Sequence, residues 1–233
     1  MDFREFTNRL ALGELSNLAV VDSEDKSEIR EDGRASIMFH LNRGLVNLFT
    51  KFMLLEKEAL IRVSAGTTNY FLRKEFAATN PSVVPVKYIM DTEATPFKED
   101  VLKITEVFNS VGVALPIDQE DEPYSLYLPE YDCIQIPNTN DGQFYSVVYQ
   151  AKHETITGVD STQEIHVPLI FEEALQYYVA GKIFSNMNGK ENTAKGVEHM
   201  MQYLSICQEV EQKDSARTAT VGLNRKLNIR GFE

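Results

Sequence analysis

Catalysis and metal binding need titratable or ligating side chains that a helix, strand or turn can bring together. The four histidines, His40, His153, His166 and His199, lie far apart, and no HExxH or CxxC pattern joins them to a metal site. His40 and His199 fall in segments whose apolar spacing commits them to packing, so a satisfied or solvated histidine is the expectation at each. His153 follows an aromatic run and could touch a ligand, but nothing beside it in sequence would assist. Cys133 and Cys207 fit no metal-ligand spacing; buried free thiols and a reducing, cytosolic site of synthesis are expected. Glu172 and Glu173 open a helix, where carboxylates meet the positive end of the macrodipole. The run from Asp118 to Glu122 concentrates charge in a proline-flanked loop and reads as solvated. Neither a phosphate-binding glycine loop nor a nucleophile elbow is present. A protein with no catalytic residues, metal or cofactor is therefore expected.

Two other resources remain, aromatic surface and charge. The chain has 13 phenylalanines and 10 tyrosines but no tryptophan, and Tyr124, Tyr127, Tyr131, Tyr145 and Tyr149 gather in its middle. Core packing and subunit contact are the first reading of that group; a carbohydrate platform is the second. A net charge of −12 argues against a protein that grips nucleic acid, because that grip uses Lys and Arg to displace counterions. The same acidity suits a surface past which nucleic acid slides.

The elements that would position these groups follow from spacing. With 233 residues, 43% of them hydrophobic, the chain can bury a sizeable core in one or two domains. No window approaches 18 consecutive apolar residues, and the start Met1-Asp-Phe-Arg-Glu-Phe lacks the basic, then apolar, pattern of a signal peptide. Phe3 to Leu18 predicts a short amphipathic helix; Asp22 and Ser23 are N-cap types for a second helix that Gly33 bends or interrupts. Met38, Leu41, Leu45, Leu48, Phe52 and Leu55 predict a long core-facing helix over 35–60, the spine of a helical bundle. Residues 61–166 hold seven of the eight prolines and short alternating runs. They predict an inserted, mostly antiparallel β-domain. Residues 61–64 would pair with 70–72, and 103–108 would turn back through Asn109-Ser110 onto 111–115. The strongest hairpin joins 133–136 to 143–150, with 152–156 and 164–167 as further strands.

From Val167-Pro168 onward the chain predicts a helical hairpin over about 168–213, turned at Asn188-Gly189. Phe171, Leu175 and Tyr178 share one face and Val179, Ile183 and Met187 the next, with Ala180 and Gly181 allowing close approach. Val197, Met200, Leu204 and Cys207 form the stripe of the following helix. Short-turned helices pack antiparallel, here against the 35–60 helix. The fold class is thus α+β: a bundle domain from 1–60 and 167–214, the β-domain 61–166, and an extended arm 215–233. The arm has too few large apolar residues for its own core, and four basic residues against one acidic. Such an arm is either disordered or ordered by another chain.

The order of elements resembles a head–tail connector, or adaptor, protein of tailed bacteriophages. The resemblance rests on Asn42-Arg-Gly-Leu-Val-Asn-Leu-Phe-Thr-Lys-Phe52, then a β-region with Lys103-Ile-Thr-Glu-Val107 that ends Val148-Tyr-Gln-Ala-Lys-His153. The segment Val167-Pro-Leu-Ile-Phe-Glu-Glu-Ala-Leu-Gln-Tyr-Tyr-Val-Ala180 completes it. It implies a structural virion protein at the head–tail interface, made in the host cytoplasm, with no enzyme activity. It also implies a homo-oligomeric ring of about twelve copies, whose closure uses heterologous contacts. That ring would sit under the portal protein, meet tail or further ring proteins, and pass genomic DNA without sequence-specific binding. No membrane is involved. Leu45, Leu48, Phe52, Phe171, Leu175, Tyr178, Val179 and Ile183 would pack the bundle and the ring. Arg217, Leu223, Arg225, Lys226, Leu227, Ile229, Arg230 and Phe232 would dock the arm on the portal or a neighbour. The smallest adaptors are mostly helical, and this chain departs from them by its β-region of about a hundred residues. A carbohydrate- or host-binding virion module using the aromatic β-domain is the alternative.

Overall fold

The computed structural model describes residues 1–81, 86–137, 141–158 and 163–213. Its elements run α1 (Phe3–Leu12), α2 (Glu31–Lys51), β1 (Glu56–Arg62), β2 (Asn69–Phe71), a 3-10 turn at Lys74–Phe76, and β3 (Val101–Asn109). There follow β4 (Tyr127–Glu130), β5 (Cys133–Gln135), β6 (Phe144–Ala151), α3 (Leu169–Asn186) and α4 (Lys190–Gln212). This is an α+β chain in two compact units. One contains residues 1–54 and the described residues from His153 onward; the other is Leu55–Lys152.

In the helical unit, Asp2 caps α1 by accepting the Glu5 N–H at 2.8 Å, and Gly13 ends it by donating to the Arg9 carbonyl. The helix is therefore shorter than the expected 3–18. Asp22 does not cap a helix. Its Oδ1 accepts from the amides of Glu24 and Asp25, forming a turn that the Val21–Ile29 bridge closes. Helix α2 starts later, at Glu31, with Glu31 and Asp32 in its first turn. Gly33 lies inside that turn without breaking it, because a Cβ there would run into Val20.

The long helix stops at Lys51, not at residue 60. Phe52 is already extended, and from Glu58 the burial alternates, with Ala59, Ile61 and Val63 inward and Glu58, Leu60 and Arg62 outward. Leu55 fits the helical stripe and also the inward, odd-numbered positions of the strand, so spacing alone overran the boundary.

Helix α3 is buried around most of its circumference, through Phe171, Ala174, Leu175, Tyr178, Val179, Ala180, Gly181, Ile183 and Phe184. Such a helix needs neighbours on several sides. Gly44 of α2 provides one approach: a Cβ there would lie 2.8 Å from Leu175 and 2.9 Å from Tyr178. Gly181 and Gly196 provide another, each lying where a Cβ would meet the other's backbone carbonyl. Gly189, at φ 113°, makes the turn between α3 and α4. Two polar side chains of α2 tie the unit together. Asn42 both donates to and accepts from the Ile156 backbone, and Asn47 accepts from the Tyr203 hydroxyl at 2.5 Å.

The second unit holds two three-stranded antiparallel sheets, ordered β1-β6-β3 and β2-β5-β4. Two expected pairings are replaced. Residues 61–64 and 70–72 belong to different sheets, and so do 133–136 and 143–150. Turn-rich sequence between two strands does not oblige them to pair when each finds a partner elsewhere. The 103–115 return does form, in that Asn109 and Leu115 donate to Val113 and Val107 around a Phe108–Ala114 bridge. The expected strand at 152–156 is absent, since β6 ends at Ala151, and that at 164–167 is reduced to an Asp2–Glu164 bridge. Strand β6 is central. Val147, Val148, Tyr149, Gln150 and Ala151 are all buried, which explains why neither of its faces reads as polar.

Replacing Gly196 by alanine forces a methyl group to within 3.0 Å of the Ser185 backbone nitrogen. G196A is expected to cost about 1–3 kcal/mol by overpacking. Urea unfolding followed by helical circular dichroism reads this, and an unchanged midpoint would contradict the close α3–α4 crossing.

Candidate functional site

In the helical unit, the local structure explains each titratable group singled out from sequence. His40, on α2, is buried; its Nε2 accepts from the Asn186 amide at 3.1 Å, and its Nδ1 is buried without a partner. Burial, then Arg43 and Lys182, holds its pKa below the usual histidine value. His153 is buried against the Phe49 ring, and its Nε2 accepts the His166 N–H at 3.0 Å while Nδ1 donates to the Glu154 carbonyl. Both ring nitrogens are occupied in the neutral form, and burial lowers this pKa too. His199 lies between the Tyr177 and Phe184 rings and faces Glu14 at 3.4 Å. Glu172, in the first turn of α3, pairs with Arg9 at 2.7 Å, and Arg9 also holds Glu5. This carboxylate joins α1 to α3.

The β unit carries a denser polar network that spacing did not show. Asp100 is only 6% exposed; Lys57 ion-pairs with its Oδ2 and the Tyr149 hydroxyl donates to Oδ1. Burial, then the Asp100 carboxylate, pushes the Tyr149 pKa strongly upward, so this phenol stays protonated. Asp132 is similarly buried and paired with Arg73 at 2.8 Å. Neither network has a nucleophile placed against a base; each pairs a buried carboxylate with a cation, and Asp132 Oδ1 is left buried without a hydrogen-bond partner. Cys133 and Cys207 are free and buried, and desolvation raises the Cys133 thiol to about 11, far from thiolate reactivity. In the acidic run, the Asp118 side chain accepts the Leu128 N–H at 3.0 Å. Among the described residues, no group of three or more His, Cys, Asp or Glu could hold a metal ion.

The five tyrosines separate. Tyr149 is buried in the Asp100 network, and Tyr131 stands exposed at the β4–β5 turn. Tyr124, Tyr127 and Tyr145 come together with Phe144 along a cleft of about 700 Å³ at one end of the β unit. Phe144 was missed because its place in an alternating strand reads equally well as core.

The eight residues expected to pack the bundle and the ring are all buried within the helical unit, from Leu45, Leu48 and Phe52 to Phe171, Leu175, Tyr178, Val179 and Ile183. They are therefore closed to a neighbour. Large apolar side chains are left open at Leu12, at Leu169 and Ile170 in the first turn of α3, and in rows on the outer faces of α2 and α4. On α4 the expected stripe divides. Gly196, Tyr203, Cys207 and Val210 turn inward, and Met200 packs on Gly181, whereas Val197, Met201 and Leu204 face solvent. On α2, Phe39 and Val46 are exposed one turn either side of Arg43, whose guanidinium lies 5.7 Å from the Phe39 ring. A groove of about 690 Å³ runs along this face past Asn47, Thr155 and Tyr178. The docking-arm residues Arg217, Leu223, Arg225, Lys226, Leu227, Ile229, Arg230 and Phe232 lie outside the described residues.

No protein-family model matches the chain, and no curated protein matches it. No helix among the described residues is long and apolar enough to cross a membrane.

Replacing Lys57 by methionine leaves the Asp100 carboxylate buried without its cation. Urea unfolding of K57M should show a loss of about 3 kcal/mol; a loss below experimental error would mean that Asp100 is solvated. The two buried histidines generate a pH dependence. Their folded-state pKa values lie below 6.5, so the unfolded chain binds more protons in that range and stability rises with pH. The contribution is complete above 6.5 and is lost as pH falls from 6.5 through the folded values. The helical melting temperature should therefore be lower at pH about 5.5 than at about 7.5, and a flat profile would refute neutral burial.

Proposed function

We propose that this protein is a non-enzymatic structural subunit of a head–tail connector ring, with the helical unit acting as the ring-forming bundle. The supporting observation is the pair of outward apolar rows, Phe39 and Val46 on α2 and Val197, Met201 and Leu204 on α4. A closed ring joins unlike surfaces, so each subunit needs two. Large exposed apolar side chains in regular rows on helices that already bury a full inner face mark contact surface. The net charge of −12 would make such a ring strongly acidic, and an acidic lumen lets DNA pass without adhering. The basic segment 215–233 has the opposite sign and would dock on the portal or on a neighbouring subunit.

Sedimentation velocity and native mass spectrometry of the full chain, with and without a portal ring, test this. The expected result is a multi-subunit ring that M201E combined with L204E converts to monomer at unchanged melting temperature. A wild-type monomer that fails to join the portal would overturn the proposal.

A further inference from the structure

The β unit has a built concavity that a connector role does not use. Loop 116–127 forms one wall of the 700 Å³ cleft, a size typical of small-ligand sites. This loop is firmly held. Leu126 donates to the Pro116 carbonyl and Asp118 to the Leu126 carbonyl, Ser125 Oγ accepts the Gln119 N–H, and Asp118 Oδ1 receives the Leu128 N–H.

Within this braced loop, Tyr124 has φ 76° and yet is 76% exposed. A bulky side chain in the left-handed region is strained, and glycine would relieve that strain. Asp118, at φ 53°, is compensated by its hydrogen bond to Leu128, but Tyr124 gains no burial in return. Strain retained at an exposed aromatic residue points to a use for the ring.

The lining identifies the ligand chemistry. Tyr124, Tyr127, Phe144 and Tyr145 present apolar ring surface. Asn109 and Gln143 also line the cleft; Asn109 Oδ1 accepts the Val111 and Val113 N–H groups at 3.1 and 2.9 Å, and Gln143 accepts from the Tyr145 hydroxyl at 3.2 Å. Among the described residues, Glu122 is the only charged residue in the lining, so none of them compensates a phosphate or other anion. Aromatic faces interleaved with amides, and no cation, match a neutral saccharide. Its C–H faces pack on the rings while its hydroxyls exchange hydrogen bonds with the amides and the carboxylate.

We propose that this cleft binds neutral oligosaccharide, with Tyr124 and Tyr145 as stacking platforms and Gln143 and Glu122 as hydroxyl partners. The site is independent of the ring-forming rows, so it stands or falls apart from the connector reading.

The full chain would be applied to an array of neutral and acidic oligosaccharides, with a proline-rich peptide array alongside, followed by titration calorimetry with the strongest neutral glycan. Y124G and Y145A should each weaken binding at least about tenfold, the loss of one stacked ring, while Y131A, outside the cleft, leaves it unchanged. Y124G should also melt at the wild-type temperature or above, because glycine relieves the strained φ. Absence of any neutral glycan binding, preference for acidic glycans or proline-rich peptides, or a lowered melting temperature in Y124G would overturn the proposal.

Discussion

The burial of α3 on most of its circumference is the constraint on which the helical unit depends. Beyond its first two residues, Leu169 and Ile170, which are exposed, the helix is apolar on most sides, so the surrounding segments must close over it. They can do so only where side chains give way, and glycine supplies the room at Gly44, Gly181 and Gly196. Close approach brings more atoms of α2 and α4 into contact with α3 and raises dispersion and apolar burial together. The polar ties, Asn42 to Ile156, Asn47 to Tyr203 and Arg9 to Glu172, sit around this packing and hold α1, α2, α4 and the 153–158 segment in register with it.

Enclosing α3 determines what the outer helices can offer. Each spends one face inward and leaves the opposite face to solvent. That face is polar over much of α4, but Val197, Met201 and Leu204 interrupt it at helical spacing. The residues that looked most adhesive in the sequence, such as Phe171, Leu175 and Ile183, are consumed inside one chain. In the proposed ring, contact between chains would fall to the outward side chains Phe39, Val46, Val197, Met201 and Leu204 instead.

The β unit obeys a different economy. Strand β6 is flanked on both edges and buried on both faces, so its polar groups need internal partners. Tyr149 meets Asp100, and Lys57 completes the pair. These networks consume carboxylates that would otherwise invite a catalytic reading. Phe144 and Tyr145, beyond the buried half of β6, line the cleft, with Tyr145 still packed against the core.

What the sequence determined by itself was everything set by local periodicity and turn chemistry. The α+β class, the α3–α4 hairpin with its Gly189 turn, the start of α1 and the return after Asn109 all follow from neighbours within a few residues. The end of α2 escaped because Leu55 satisfies the helical and the strand period at once. Strand partners escaped because antiparallel pairing depends on which strands meet in space, and β1 reaches β6 across more than eighty residues. The tertiary structure alone decided which apolar face of α4 looks outward, which tyrosines share a cleft and which carboxylates find cations. A side chain's exposure is the outcome of what packs beside it, and residues distant in the chain supply those neighbours.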